Sequence, residues 1–249
     1  MKAKIAIIGF ALIFLSGGIY LFLQSSFFAV QKVVVVGVST LSGPEVVELA
    51  GIEPGTNIFA IRTEEVKRRL LTLPAIAGVS IERHLPSSIT LEVQERRPVA
   101  VVRGSSGLLA LDQEGFCIAK ADRLSSLKLP LLSRQSTNDI ENLSLGGRLR
   151  GEGWDILLNI AAKVSDSSRG QISEIRLDKL NHLSIYLLWG PEIRLGEAGS
   201  LNPEVITEKV NMVEKIIGLW RQGQFPPTTR YIDVGHQGFP TLGEVSLKE

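Results

Sequence analysis

From Gly78 to Gln94 the chain alternates. Val79, Ile81 and Arg83 fall on one side, and Ser80, Glu82 and His84 on the other. After Pro86-Ser87-Ser88 the alternation resumes, with Ile89, Leu91 and Val93 opposed to Thr90, Glu92 and Gln94. A two-residue period with one apolar face predicts a half-buried β-hairpin, because successive side chains leave a strand on opposite sides. Pro86 falls in the turn, where its missing N–H breaks no ladder bond. The charged knot Glu95-Arg96-Arg97 followed by Pro98 ends the second strand and lets the chain change direction.

Upstream, Ile5 to Leu23 is a run of 19 residues without a charge. At ~1.5 Å per residue it reaches roughly 28 Å, close to the hydrocarbon thickness of a bilayer, and predicts a transmembrane helix. Lys2 and Lys4 precede the run and the next charge is Lys32, which places the N-terminus in the cytoplasm and the bulk across the membrane. The run exceeds a signal-peptide core, and Phe27-Phe28-Ala29 is a poor cleavage site, so an uncleaved anchor is expected. Tyr20, Phe22, Phe27 and Phe28 cluster at its outer end as interface anchors.

Next, Val33 to Val36 predicts a buried strand, since β-branched side chains favour a pleated surface. Ser42-Gly-Pro-Glu45 reads as a capping box opening a short helix that ends at Gly51. A second helix starts at Thr63 with Glu64 and Glu65 in its first turn, carries Val66, Leu70 and Leu73 at helical spacing, and stops before Pro74. The order is strand, helix, helix, strand, strand.

Beyond Pro98 the periodicity stays mostly β. Val99–Val102, Leu108–Asp112 and Phe116–Ala119 are short apolar runs separated by Gly-containing turns, a meander signal. Leu124 to Leu149 is aperiodic and is read as loops. Trp154, Leu157, Leu158 and Ala161 mark an amphipathic helix, Ile172–Asp178 and Leu183–Leu188 paired strands, and Ile193–Leu195 a further short strand. Asn202 caps a long helix with Pro203 in its first turn and a stripe of Ile206, Val210, Val213, Ile217 and Trp220. Tyr231–Val234 is the last strand, and Gly235, Gly238, Pro240 and Gly243 punctuate a loose tail.

The whole is α+β. Its expected segments are a cytoplasmic tail 1–4, a membrane helix 5–23, a first domain 28–97, a larger mixed β-sheet domain 98–243 with flanking helices, and a tail 244–249.

Across 249 residues the formal charge is +1, so bulk electrostatics gives no support to nucleic-acid binding. The lone Cys117 cannot form an intramolecular disulfide and reads as a small buried hydrophobe. His84, His182 and His236 are scattered without ligand-spaced partners, which argues against a metal site. No nucleophile elbow or phosphate-cradling loop occurs. Asp112 and Glu114 are the one carboxylate pair worth testing for sugar hydrolysis, but their place in a hairpin turn favours solvated turn residues. No cofactor, small-molecule substrate or catalytic residue is expected. Arg83, Arg96 and Arg97 form a basic group that reads as a solvated face.

The strand-helix-helix-strand-strand order resembles the FtsQ/DivIB family of bacterial division proteins. The resemblance is carried by F-A-V-Q-K-V-V-V-V-G from Phe28 and by L-P-A-I-A-G-V-S-I-E-R-H-L-P-S-S-I-T-L-E-V-Q-E-R-R-P-V-A from Leu73. Its landmarks are Gly37, Leu73-Pro74, Arg83, Pro86, Glu95, Arg96, Pro98-Val99-Ala100, Leu111-Asp112 and Gly115. Ala75 and His84 stand where that family often has aromatics, and Gly235 where it often has Arg.

The resemblance implies a POTRA domain outside a single membrane helix, then a β-rich domain whose C-terminal strand takes up FtsB by strand addition within a complex that also holds FtsL. The region Tyr231 to Leu242 corresponds, with Tyr231, Ile232, Val234, His236, Phe239 and Leu242 as candidate partner contacts. Open sheet edges suit this role because their free N–H and C=O groups can pair with another chain. On this reading Val234 offers one such unpaired donor. The implied protein is a non-enzymatic divisome scaffold in the cytoplasmic (inner) membrane at the septum, controlling septal peptidoglycan synthesis. The alternatives are a POTRA-bearing factor handling polypeptides at an outer membrane and a membrane-anchored cell-wall hydrolase.

Overall fold

The computed structural model describes residues 2–105, 107–120, 128–135, 140–151, 153–235 and 240–244, the side chains of residues 2, 3, 5, 6 and 244 excepted. The chain divides into two compact units, Met1–Arg96 and Arg97–Glu249.

The first unit opens with helix α1, Lys2–Leu23, whose described side chains run unbroken from Ile7 to Leu23. Ile7, Phe10, Ile13, Phe14 and Leu21 are among the exposed apolar groups, and no face of the helix is more apolar than another. Among the described residues no helix is long and apolar enough to cross a membrane. A 3₁₀ turn, Ser26–Phe28, leads to strand β1, Lys32–Val36. Helices α2, Gly43–Ala50, and α3, Thr63–Leu70, follow, then β2, Ile76–His84, and β3, Ser88–Glu95. This is the strand-helix-helix-strand-strand order read from the sequence.

The sheet order is β1-β3-β2, with β1 parallel and β2 antiparallel to β3. Ile89, Leu91 and Val93 are buried, and their neighbours along β3 are not. They meet Val46, Ala50, Val66 and Leu70 from the helices in one core.

Three local expectations are corrected. Of the valines of β1, Val33 to Val35 are only partly buried and Val36 is exposed, because β1 is an edge strand with a single neighbour. The Ser42 hydroxyl accepts from the Glu45 N–H at 3.3 Å, but the Glu45 carboxylate returns to that hydroxyl, so the capping box is half formed. Helix α3 stops at Leu70, a full turn before Pro74, where the N–H groups of Thr72 and Leu73 tighten into 3₁₀-type bonds to Arg69 and Leu70. Gly37 closes the turn after β1. Its φ of 85° lies in the left-handed region, and a Cβ there would fall on the Val93 carbonyl, so only glycine fits.

The second unit is a nine-stranded mixed sheet. Its strands are β4, Pro98–Gly104; β5, Gly107–Asp112; β6, Cys117–Lys120; β7, Leu131–Arg134; β8, Ile172–Leu177; β9, His182–Leu187; β10, Glu192–Glu197; β11, Thr229–Asp233; and β12, Thr241–Glu244. The spatial order is β12-β11-β10-β9-β8-β7-β4-β5-β6. Helix α4, Trp154–Lys163, a short α5, Asp166–Arg169, and α6, Pro203–Arg221, complete the unit. Trp154, Leu157, Ile160 and Ala161 of α4 and Ile206, Val210, Val213 and Ile217 of α6 share one core with Leu132, Ile175, Ile185, Ile193 and Ile232. The stripe on α6 therefore packs on its own sheet, its start capped by Asn202 Oδ1 accepting from the Val205 N–H at 2.8 Å.

Two strands escaped the sequence pattern. The segment read as loops contains β7, which pairs in parallel with β4 and β8 at the middle of the sheet. Four residues are too few to display a period, and neighbours on both sides make this segment a strand. The tail read as loose contains β12, antiparallel to β11.

Candidate functional site

The C-terminal margin of the second unit is built by β10, β11, β12 and α6. Strand β11 pairs with β10 in parallel, Glu192 opposite Tyr231 and Arg194 opposite Asp233. It pairs with β12 on the other side, Ile232 opposite Leu242 and Asp233 opposite Thr241. The Val234 N–H donates to the Arg194 carbonyl at 2.9 Å. Val234 is therefore no unpaired donor: its N–H faces β10, and the opposite edge of β11, which the sequence reading left open, is covered by β12. Peptide groups alternate in direction along a strand, so the groups of Ile232 and Val234 face β10 and those of Tyr231 and Asp233 face β12. In the antiparallel register, Thr241 and Gly243 then turn toward β11, and Leu242 presents its N–H and C=O outward. Among the described residues nothing pairs with that outer edge.

Side chains fix this margin from both faces. The Arg194 guanidinium lies 3.8 Å above the Tyr231 ring and is held there by Glu192, at 3.1 and 3.2 Å. Glu192 also accepts from the Ser184 hydroxyl at 2.7 Å and the Tyr186 phenol at 3.1 Å. Burial pushes its pKa up, but these donors outweigh burial and hold the carboxyl below its ordinary range. Gly243 lies against Tyr231 so closely that a Cβ would fall inside the ring. On the helix side, the Lys209 ammonium donates to the carbonyls of Leu195 at 2.8 Å, Val234 at 2.7 Å and Gly235 at 3.2 Å. Burial pushes that ammonium's pKa down, opposed by the charges of Asp233 and Glu208. A lysine in a helix is invisible as a strand clamp from sequence alone, since its targets are carbonyls about 14 and 25 residues away.

Between α6 and β12 runs an apolar groove of about 640 Å³, lined by Met212, Ile216, Leu219, Phe225, Pro240 and Leu242 among others. Of the six expected contacts, Ile232 and Val234 are core residues and Tyr231 is half-buried under Arg194. Leu242, 45 % exposed, reaches the groove. His236 and Phe239 lie outside the described residues.

The motif residues of the first unit hold structure together. Arg83 Nη2 donates to the Ile61 carbonyl at 2.6 Å, tying β2 to the loop before α3. Pro86 occupies the tip of the β2–β3 hairpin. Glu95 accepts from the backbone N–H groups of Ser39, at 2.5 Å, and Thr40, at 3.1 Å, and from the Ser39 hydroxyl at 3.2 Å. Burial raises its pKa, yet these bonds together prevail and leave it lowered. The Arg96 N–H donates to the Ala75 carbonyl at 2.8 Å, and Pro98 opens β4.

Asp112 is not a solvated turn carboxylate. It is buried, its Oδ1 accepting from the N–H groups of Glu114 at 2.9 Å and Phe116 at 2.8 Å, so it braces the β5–β6 turn. Cys117 is buried and its thiol pKa is pushed up by burial, as an inert core thiol requires. Among the described residues no group of His, Cys, Asp and Glu could hold a metal ion.

Two family profiles match. The POTRA domain, FtsQ-type, aligns with residues 28–96, and the C-terminal domain of cell division protein FtsQ/DivIB with residues 100–234. The second match ends at Val234, before β12 begins. The cell division protein FtsQ of Streptomyces bingchenggensis is 29% identical over 202 residues, covering 80% of this chain and 74% of that protein. Its namesake in Geotalea daltonii is 28% identical over 165 residues, covering 65% and 59%. That of Myxococcus fulvus is 27% identical over 197 residues, covering 79% and 67%. With one of these profiles spanning more than half of its length, the chain belongs to the FtsQ/DivIB family of cell division proteins.

Proposed function

We propose that this chain is a membrane-anchored scaffold of the division septum. It recruits FtsB/FtsL-like membrane proteins by strand addition and so governs septal peptidoglycan synthesis. The uncharged run from Ile5 to Leu23, the two preceding lysines and the exposed side chains of α1 support a single crossing with both folded units outside the cytoplasm. The observation that carries the partner role is the outer edge of β12, where Leu242 turns its peptide groups outward beside the apolar groove along α6. A strand laid on that edge gains main-chain hydrogen bonds, and its alternate side chains reach the groove.

The experiment is Leu242→Pro in the full chain, reconstituted in nanodiscs and titrated with an FtsB-like peptide. Proline removes the outward donor, and one net hydrogen bond of about 1 kcal/mol is a loss of roughly tenfold in affinity once the altered φ is added. Leu242→Ala, which keeps the N–H, separates the side-chain share. Equal affinity for the proline variant and the parent protein refutes strand addition at this edge.

A further inference from the structure

Four aromatic rings meet where α1 joins the POTRA unit. Phe28 is the hub, 7 % exposed and part of the POTRA core, which corrects its expected role as an interface anchor. Around it stand Phe22 at 5.3 Å, Phe27 at 5.1 Å and Phe59 at 5.1 Å between ring centroids. These three rim rings are 56, 57 and 45 % exposed. Phe59 is some thirty residues away from the others, and no local pattern groups it with them.

The chain brings it there by a short antiparallel pairing. The Val30 N–H donates to the Thr56 carbonyl and the Ile58 N–H to the Phe28 carbonyl, both at 2.9 Å. Asn57 then fixes the junction from both ends of its amide. Its Nδ2 donates to the Leu23 carbonyl at the end of α1, at 2.7 Å, and its Oδ1 accepts from the Phe59 N–H at 2.9 Å. The last carbonyls of a helix lack intrahelical partners, so Asn57 caps α1 with a residue of the domain that follows it. Beyond the turn, the Arg83 guanidinium donates to the Ile61 carbonyl at 2.6 Å, which ties the segment after Phe59 to β2.

We propose that the turn 57–60 is a second lipid contact of this chain. Phe59 enters the interfacial region of the bilayer beside Phe22 and Phe27, and the Asn57 latch holds the POTRA unit against the membrane in one orientation. The inference rests on the reading of α1 as a membrane helix. Three exposed rings continuous with the end of an apolar helix match the composition of a membrane-water boundary, where amphipathic and aromatic groups gather. A soluble partner docking on these rings would have to displace the surface from the helix that enters the bilayer beside them. The consequence is geometric: the faces of the POTRA unit open to other proteins are set by Asn57 and Phe59, not by a free swivel.

The test uses the full chain in a Cys117→Ala background, in vesicles of phosphatidylethanolamine and phosphatidylglycerol. Single nitroxide labels are placed at Ile13→Cys in α1, Ala60→Cys beside the intact Phe59, and Glu48→Cys on exposed α2. Collision with oxygen, which favours lipid, is compared with collision with a water-soluble nickel chelate. The expected result is an oxygen-to-nickel ratio at Ala60 several-fold above that at Glu48 and below that at Ile13. Phe59→Ser should lower the Ala60 ratio toward that of Glu48, and Asn57→Ala should sharpen the nitroxide spectrum there as the latch opens. An Ala60 ratio equal to that of Glu48, with Ile13 deep in lipid, overturns this inference and leaves the membrane helix standing. A water-like ratio at Ile13 overturns both.

Discussion

Replacing Lys209 by methionine keeps an unbranched stem of similar length and deletes the ammonium. Three carbonyls lose their donor at once: Leu195 on β10, and Val234 and Gly235 where the chain leaves β11. Hydrogen bonds to a charged group contribute about 1.5–3 kcal/mol each in net terms, so three independent bonds would sum to roughly 4.5–9 kcal/mol. The three share one half-buried ammonium and are not additive, which brings the loss toward the worth of one or two of them. The net loss is then about 2–4 kcal/mol, enough to lower the melting temperature of a unit this size by roughly 4–16 °C.

The position of the carbonyls makes the effect local as well as global. Two of the three lie just before the connection to β12, so hydrogen exchange of β11 and β12 should accelerate more than that of β8 and β9. Denaturant unfolding and exchange mass spectrometry of the full chain measure both. If the methionine variant unfolds at the parent's midpoint, or if β8 and β12 lose protection equally, the clamp does not hold this margin and the reasoning fails.

Two further outcomes follow from the same geometry, beside those given for Leu242 and for the turn 57–60. Glu95 carries a lowered pKa in the folded unit, so the stability it supplies is present above the ordinary glutamate range. It is lost as the pH falls through that range toward the lowered value. Glu95→Gln should flatten that part of the acid-unfolding curve of the POTRA unit, read by circular dichroism; an unchanged acid midpoint would contradict the role of the Ser39 and Thr40 bonds. Gly243→Ala should push the Tyr231 ring off Arg194 and loosen β12 by about 1–3 kcal/mol, as overpacking does, and Tyr231→Ala in the same chain should recover most of that loss. Additive losses in the double variant would show that the two residues do not meet.

Much of the first unit was legible because its signals are local. The alternation from Val79 to Gln94, the serine at the start of α2 and the acidic first turn of α3 each act within a few residues. The long helix α6 was readable for the same reason, with Asn202 and Pro203 at its start and a stripe along one face. What failed was short and non-local. Strand β7 has four residues and becomes a strand only between β4 and β8, and β12 only because β11 offers it a ladder. The candidate site inherited that error: Tyr231 to Val234 reads as an edge until the chain folds back upon it. Asp112 looked solvated because turn carboxylates usually are, whereas here two backbone N–H groups allow it to be buried.

The sequence by itself determined the elements of the first unit and their order, the helices and longer strands of the second, and the family, since periodicity, caps and motif spacing are properties of neighbouring residues. Tertiary structure alone decided which strand edge lies open, which lysine clamps it and which phenylalanine joins the end of α1. Those depend on groups brought together across 14 to 34 residues or more by the closing of a sheet or a turn, and nothing in the local pattern records that distance.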